Sequence, residues 1–409
     1  MAAPKLRFKE FDGDWERIKL SQMGTFKNGI NKDKEDFGHG VPFINLMDVF
    51  GKNSICQNTF DLVNASSKEI EAYSLKQGDV LFIRSSVKPE GVAETAVVLE
   101  DLDNTVYSGF LIRYRPSKDI DLHYKKYCFS TDFFRKNVLA LSTTSANTNI
   151  NQESLSLLNL DLPSKQEQTK IATFLSAVDE KISQLTQKHE LLSQYKQGMM
   201  QKLFSQEIRF KADDGSEFGE WEEKNILKIA DVSIGLVTTM TTNYREKGTP
   251  LIRNSDIKPN NILKNKLIFL DSDFADSYEN RKLKVNDIVT VHTGDVGVSS
   301  LIPEELNGAI GFATINTRVI DENVSPCYLV WYFNSKKFIN WCVNYSTGDG
   351  RQNLNLKDFN TAVIPLPSLE EQTKIANLLS AIDQKVEVVA QQIEQAKIWK
   401  KGLLQQMFV

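Results

Sequence analysis

Two stretches of this chain set apolar residues at alternating steps of four and three. One runs through Ile171, Leu175, Val178, Ile182 and Leu185 and on to Leu192, Met199 and Leu203; the other runs through Ile375, Leu379, Ile382, Val386, Val389, Ile393, Leu403 and Met407. That spacing predicts two long helices with a coiled-coil seam, over 162–205 and 366–409. Each opens on Pro then Ser, with Glu three residues after the Ser (Ser164 with Glu167, Ser368 with Glu371), the pattern of a capping box. His189, Lys196 and Lys400 interrupt the seam, either to fix register or because the lysine stems run out to solvent. Elsewhere the pattern shortens. Strand-like runs fall at 80–83, 96–99 and 110–114 with helical character over 122–140, then at 288–291, 299–302 and 313–320 with helical character over 328–343. The expected fold class is therefore α+β, with globular domains at 1–161 and 206–365.

The two halves are copies of each other. LPSKQEQTKIATFLSAVDEKI (162–182) returns as LPSLEEQTKIANLLSAIDQKV (366–386), with fourteen of the twenty-one positions identical. KQGMMQKLF (196–204) answers KKGLLQQMF (400–408), and PKLRF (4–8) answers QEIRF (206–210). Trp15 answers Trp221, VPFINLMDV (41–49) answers TPLIRNSDI (249–257), and LKQGDVLFI (75–83) answers LKVNDIVTV (283–291). GFLIRY (109–114) faces GFATIN (311–316), and LSTTSANTNIN (141–151) faces YSTGDGRQNLN (345–355). This is an internal duplication with a pseudo-twofold repeat. Two like helices in one chain are expected to pair antiparallel, with the domains at opposite ends; about 38 residues at about 1.5 Å each makes a spacer of about 57 Å.

Composition narrows the function. There is no apolar run of membrane-spanning length and MAAPKLRFKE has no signal-peptide core, so no membrane association and a cytoplasmic location are expected. The four cysteines show no metal-ligand or disulfide spacing and are expected to be buried and reduced. A net charge of −4 argues against a general polyanion binder and leaves room for local basic patches, with a partner supplying part of any grip on DNA. Catalytic signatures are missing: no GxxxxGK loop, no Asn-Pro-Pro-Tyr segment, and in TGDVG (293–297) only a glycine-containing turn. Asp213, Glu222 and Lys224 lie in a solvated charge run, and the four histidines, His189 included, sit in no catalytic or metal pattern. No catalytic residue, metal or cofactor is assigned to the chain.

A domain, a helix opening LPSxxEQ and continuing IAxxLSxxD, then a second domain and a second such helix resembles the specificity subunit of type I restriction-modification enzymes over essentially the whole chain. The resemblance implies two target recognition domains, each reading one half of a split double-stranded DNA site and separated by two long antiparallel coiled-coil helices that set the spacing. It implies two modification subunits as partners, carrying S-adenosylmethionine and adenine methyl transfer. Restriction subunits carrying the motor and nuclease, with ATP and Mg, are implied too.

Base edges and phosphates are met by Arg, Lys, Asn, Gln, Ser, Thr and His. Three loops per domain have that composition at matching repeat positions. In the first domain they are 27–34 (Lys27, Asn28, Asn31, Lys32, Lys34), 83–91 (Arg84, Ser85, Ser86, Lys88) and 142–149 (Thr143, Thr144, Asn147). In the second they are 238–247 (Thr238, Thr239, Thr241), 291–297 (His292, Thr293) and 346–353 (Arg351, Asn353), with Arg253 and Asn254 beside them. Arg84, Lys88, Arg253 and Arg351 stand out, because Arg makes bidentate base or strong phosphate contacts. Trp15 and Trp221 are expected to pack against helix ends. Gln168, Lys170, Gln372 and Lys374, the same in both copies, are expected at exposed helix positions that dock the modification subunits.

The rival reading is a protein-protein scaffold whose helices space two ligand-binding domains. A self-contained modification or restriction enzyme is disfavoured, because the chain has neither room nor motif for it. The bases recognised, the spacer length and the methylated half-site are not written in these residues.

Overall fold

Val80–Ile83 is buried along its whole length, and its alternation divides two cores. Val80 and Phe82 face one cluster with Ile112 and Tyr114, whereas Leu81 and Ile83 face another with Ile44, Val98 and Leu111. A strand covered on both faces reads as a continuous apolar run, as this one does. It sits in the middle of a five-stranded sheet ordered Gly24–Asn28, Leu111–Pro116, Val80–Ile83, Thr95–Val98, Ser54–Ile55. The second copy builds the corresponding four-stranded sheet, ordered Ala230–Ile234, Ile315–Val319, Ile288–Thr290, Ser299–Leu301. Each copy adds a second sheet, three-stranded in the first and four-stranded in the second, with Phe37–Ile44 and Thr249–Arg253 in matching places.

This computed structural model describes residues 4–348 and 350–408. It divides into two compact units, one formed by the chain up to Thr186 with the segment from Gln391 onward, the other by 187–390. The two long helices, Lys165–Phe204 and Leu369–Met407, are each shared between the units. The first begins in unit 1 and ends in unit 2, and the second begins in unit 2 and ends in unit 1. In unit 1, Ile171, Leu175 and Val178 of the first helix enter one core with Leu403 and Met407 of the second. In unit 2, Leu203 of the first helix and Ile375 and Leu379 of the second do the same. Burial is complete there and only partial at Ile182, Leu192, Val386 and Ile393.

The seam lysines have partners. Lys400 Nζ lies 2.5 Å from Asp179 in unit 1, and Lys196 Nζ lies 2.7 Å from Asp383 in unit 2. Each copy therefore uses its repeated Asp to meet the repeated Lys of the other helix, which ties register to charge as well as to apolar steps.

The Ser, Glu and Gln of the repeated helix opening each have a structural reason. Ser164 Oγ accepts from the Glu167 amide and Ser368 Oγ from the Glu371 amide, each at 3.3 Å. The reciprocal half of the expected capping box is replaced. Glu167 instead takes Arg7 Nε and a terminal nitrogen at 2.7 Å each, and Glu371 takes Arg209 at 3.1 and 2.7 Å and the Trp221 indole N–H at 3.2 Å. These carboxylates are almost fully buried, where a bidentate guanidinium is a stronger partner than one amide. The same arginines donate to the Gly13 and Gly219 carbonyls at 2.6 Å, fastening the segment before each domain to the helix after it.

Gln168 and Gln372 correct the sequence reading: they are buried at 4% and 1% exposure. Gln168 Nε2 donates to the Pro163 carbonyl and its Oε1 accepts from the Asp121 amide, both at 2.9 Å. Gln372 likewise joins the Pro367 carbonyl (2.9 Å) to the Ser325 amide (2.8 Å). They clamp each helix start to its own domain and offer no surface. Of the lysines, Lys170 is half exposed beside Glu10, while Lys374 is held by Asp213 and the Lys211 carbonyl. Trp15 meets Phe408 at the end of the second helix edge-on at 6.2 Å, and Trp221 sits at that helix's start, as expected.

Other boundaries shift. The expected helix over 122–140 is two, Lys125–Cys128 and Asp132–Leu141, because Thr131 Oγ accepts from the Phe134 amide and starts a new helix. Ser335 does the same for Phe338 within 328–343. Cys128 and Cys342 are buried, whereas Cys56 and Cys327 are exposed; all four are free. The Gly-Phe pairs at 109 and 311 are not equivalents. Strand registers match Val80–Tyr114 with Ile288–Thr317 and Ile44–Tyr107 with Ile252–Gly311, and the Gly109 and Ala313 amides donate to the corresponding Ile30 and Leu236 carbonyls, so Gly109 answers Ala313 and Phe110 is one residue more than unit 2 has there.

Candidate nucleic-acid interface

In unit 1, loops 83–91 and 142–149 are hydrogen-bonded into a small sheet of their own. Thr148 pairs with Ser86 and Asn149 with Ser85, while Thr143–Thr144 closes on the other side. Buried Thr148 anchors it, and the Ile150 amide donates to the Arg84 carbonyl at 3.0 Å. The turn at the end is tight: the Ser145 amide and Asn149 Nδ2 both donate to the Asn147 carbonyl. Arg84, Lys88, Thr143, Thr144 and Asn147 are exposed on this platform, and Ser85 and Ser86 are half-buried within it.

Loop 27–34 is linked to the platform through the 109–110 segment, and two of its three lysines are occupied. The Arg84 amide donates to the Phe110 carbonyl at 2.8 Å, and Gly109 donates to Ile30 at 2.7 Å. Asn31 Oδ1 lies so close to Gly109 that a Cβ there would stand 1.9 Å from it, so any larger residue would have to displace the Asn31 side chain. Lys27 Nζ donates to the Ala72 carbonyl (2.8 Å) and lies 4.5 Å over the Tyr73 ring, and Lys32 pairs with Glu69 at 2.9 Å. The Ser66 amide, then Lys32 and the Ser66 hydroxyl, hold the Glu69 carboxyl near the bottom of its range, at about 2. Asn28 is half-buried in its strand, and Lys34 is exposed.

Unit 2 brings together Asn254, His292, Thr293 and Asn353. His292 donates from its amide to Asn254 Oδ1 at 2.9 Å, and Thr293 Oγ is 2.8 Å from His292 Nδ1 and donates to Asn353 Oδ1 at 3.1 Å. The Gly294 amide donates to Gln352, and the Leu354 amide to the His292 carbonyl, each at 2.9 Å. Burial lowers the pKa of His292, so its neutral form is favoured here. Asn254 Nδ2 reaches the Ala313 carbonyl at 3.3 Å. Thus an asparagine side chain stands between His292 and Ala313, where unit 1 makes one direct bond from Arg84 to Phe110.

Arg351 is exposed at the tip of 346–353, within which Asp349 lies outside the described residues; Thr238, Thr239 and Thr241 are exposed around buried Met240. Arg253 is turned inward. Its guanidinium grips Asp256 at 2.9 and 2.7 Å and the Lys266 carbonyl at 3.1 Å, which raises its pKa and limits what it offers a ligand. Buried Asp79 and Asp287 play the same bracing role below the loops, with Arg115 and Arg318.

Reading by residue type missed Phe110. The strand begins at Leu111 and leaves Phe110 on the loop at 59% exposure. The Gly before it was the signal, since a close backbone approach there interrupts the strand. Among the described residues there is no group of three or more His, Cys, Asp or Glu side chains arranged to hold a metal ion, and no helix is long and apolar enough to cross a membrane.

Comparison with known proteins gives a consistent answer. A family model described as the type I restriction modification DNA specificity domain matches twice, over residues 12–194 and 219–397. A MjaX specificity subunit of a type I restriction enzyme from Methanocaldococcus jannaschii is 27% identical, covering 98% of this chain and 94% of its own. The EcoBI specificity subunit of Escherichia coli is 24% identical, covering 93% and 82%. The crystal structure of a type I restriction-modification S subunit from M. genitalium shares the fold, with a TM-score of 0.57 at 16% identity over 100% of this chain and 99% of that one.

Proposed function

The chain belongs to the type I restriction modification DNA specificity family, and from that premise we propose that each of its units reads one half of a bipartite double-stranded DNA site for a modification and restriction complex. The observation that carries this reading is the pinned loop cluster. In each unit, loops far apart in sequence are held together by backbone bonds at corresponding repeat positions, while the side chains they present differ. Rigid support with variable side chains is what base recognition requires. Arg84, Lys88 and Arg351 are the exposed cations best placed for bases or phosphates, with Thr143, Thr144, Asn147, Thr238, Thr239 and Thr241 as hydroxyl and amide donors. Lys27, Lys32 and Arg253 serve instead as bracing.

The long helices set the spacing of the half-sites and dock two modification subunits. With Gln168 and Gln372 buried, the docking positions shift along the helices to Tyr195 and Trp399, aromatic residues at the same repeat position and exposed by 53% and 54%. Exposed aromatic anchors of this kind dominate protein interfaces. The chain itself carries out no chemistry in this proposal: S-adenosylmethionine, ATP and Mg act on partner subunits in the cytoplasm. Genome-wide mapping of methylated adenine in cells with and without this gene tests it. A two-part motif with a fixed gap that vanishes with the gene is the expected result. An unchanged methylation map alongside intact modification subunits refutes the proposal.

A further inference from the structure

Four large apolar side chains stand in solvent on unit 1, on three segments that the fold draws together. Val87 is 81% exposed, Met47 67%, Phe110 59% and Phe50 44%. The Ser108 amide donates to the Ile44 carbonyl at 2.9 Å, joining the segment before Met47 to the one before Phe110. Arg84 donates to Phe110, joining the latter to the loop of Val87. A Cβ on Gly91 would stand 2.4 Å from Ser86 Oγ and 3.1 Å from Phe50, so Phe50 lies against that same loop. Single exposed apolar residues are ordinary, but a group of them on a pinned backbone marks a binding surface.

What covers the patch follows from what surrounds it. Val87 lies between Ser86 and Lys88, and the Phe110 carbonyl accepts from the Arg84 amide, so the exposed cations Arg84 and Lys88 are chain neighbours of the apolar side chains. On a DNA edge, the apolar feature available to such side chains is the thymine 5-methyl group in the major groove. We infer that Val87 and Phe110 read thymine methyls in the half-site bound by unit 1, an inference that rests on the DNA-reading function proposed above. Unit 2 lacks the device at these positions. No residue there answers Phe110, and Asp295 stands where unit 1 has Val87.

The test uses the full chain in complex with its modification subunits and duplexes carrying the mapped site, with fluorescence anisotropy as the readout. Each thymine is replaced in turn by uracil, which removes only the methyl group. At least one replacement in the unit 1 half-site is expected to weaken binding about fourfold, the equivalent of one buried methyl. Val87→Ser and Phe110→Ala complexes are expected to bind thymine and uracil duplexes alike, while keeping the parent's preference for the correct base sequence in the other half-site. Uracil replacements without effect, variants that still discriminate, or a unit 1 half-site built only of G·C pairs each overturn the inference. So does loss of modification subunits from either variant on size exclusion, which makes the patch a protein-docking face. Absence of any bipartite site counts against the broader function instead.

Discussion

Replacing Glu371 by Ala removes the residue that fastens the second long helix to the segment before its domain. The carboxylate is fully buried and takes three donor contacts, two from Arg209 and one from the Trp221 indole. Breaking a buried pair from one side costs about 3–5 kcal/mol, because the remaining charge is left without compensation. Arg209 keeps the Gly219 carbonyl and its side chain is 24% exposed, which places the expected cost at the low end, about 3 kcal/mol. For a unit of this size each kcal/mol lowers Tm by about 2–4 °C, so a fall of about 6–12 °C is expected. Glu371→Gln keeps the shape and an acceptor but loses the charge, and costs about 1–1.5 kcal/mol. Calorimetry, with exchange protection of unit 2 amides to locate the effect, measures both. A double-mutant cycle with Arg209→Ala isolates the pair, with an expected coupling above about 1 kcal/mol. If Glu371→Ala melts within about 2 °C of the parent chain, or the cycle shows no coupling, the fastening role assigned to the repeated Glu is refuted.

The remaining expectations use the same repeat. Gln168→Leu strands the Asp121 amide and the Pro163 carbonyl and lowers urea stability by about 1–3 kcal/mol, whereas Lys170→Ala changes it by no more than about 0.5 kcal/mol. Equal effects would contradict the clamp. Lys400→Asp sets like charges beside Asp179 and destabilises unit 1, and adding Asp179→Lys restores the pair; failure of the swap to recover about 0.5–1 kcal/mol over the single change argues against a seam role for this ion pair. His292 titrates with a lowered pKa, so the unfolded chain takes up the proton first as pH falls. Protection of the Gly294 and Leu354 amides is therefore full above about 6.5, the ordinary value, and declines as pH drops through it. His292→Asn flattens that dependence, and an unchanged pH profile in the variant would assign it to another group.

The long helices were legible because their signals are local. Apolar steps and the Pro-Ser openings placed them within three residues at each start. The role of the motif was not legible, because the partners of Glu167 and Gln168 lie far along the chain at Arg7 and Asp121. A glutamine on a helix looks exposed until a distant amide is known to meet it. The loops were found by residue type, which cannot separate Lys88, free in solvent, from Lys27, folded onto Tyr73. Phe110 escaped for the opposite reason, since an aromatic residue at the start of a strand-like run reads as core. The split helix at Thr131 was available in the sequence, as a capping residue inside a periodic stretch.

The two buried glutamines hydrogen-bond to main-chain atoms, the amides of Asp121 and Ser325 and the carbonyls of Pro163, Pro367 and Asn323. Such a socket is blind to which side chain follows the α-carbon it grips. Each domain is thus free to drift in nearly every residue it shows the outside world without loosening its seat, so new preferences can accumulate at the rim while the chassis stays fixed.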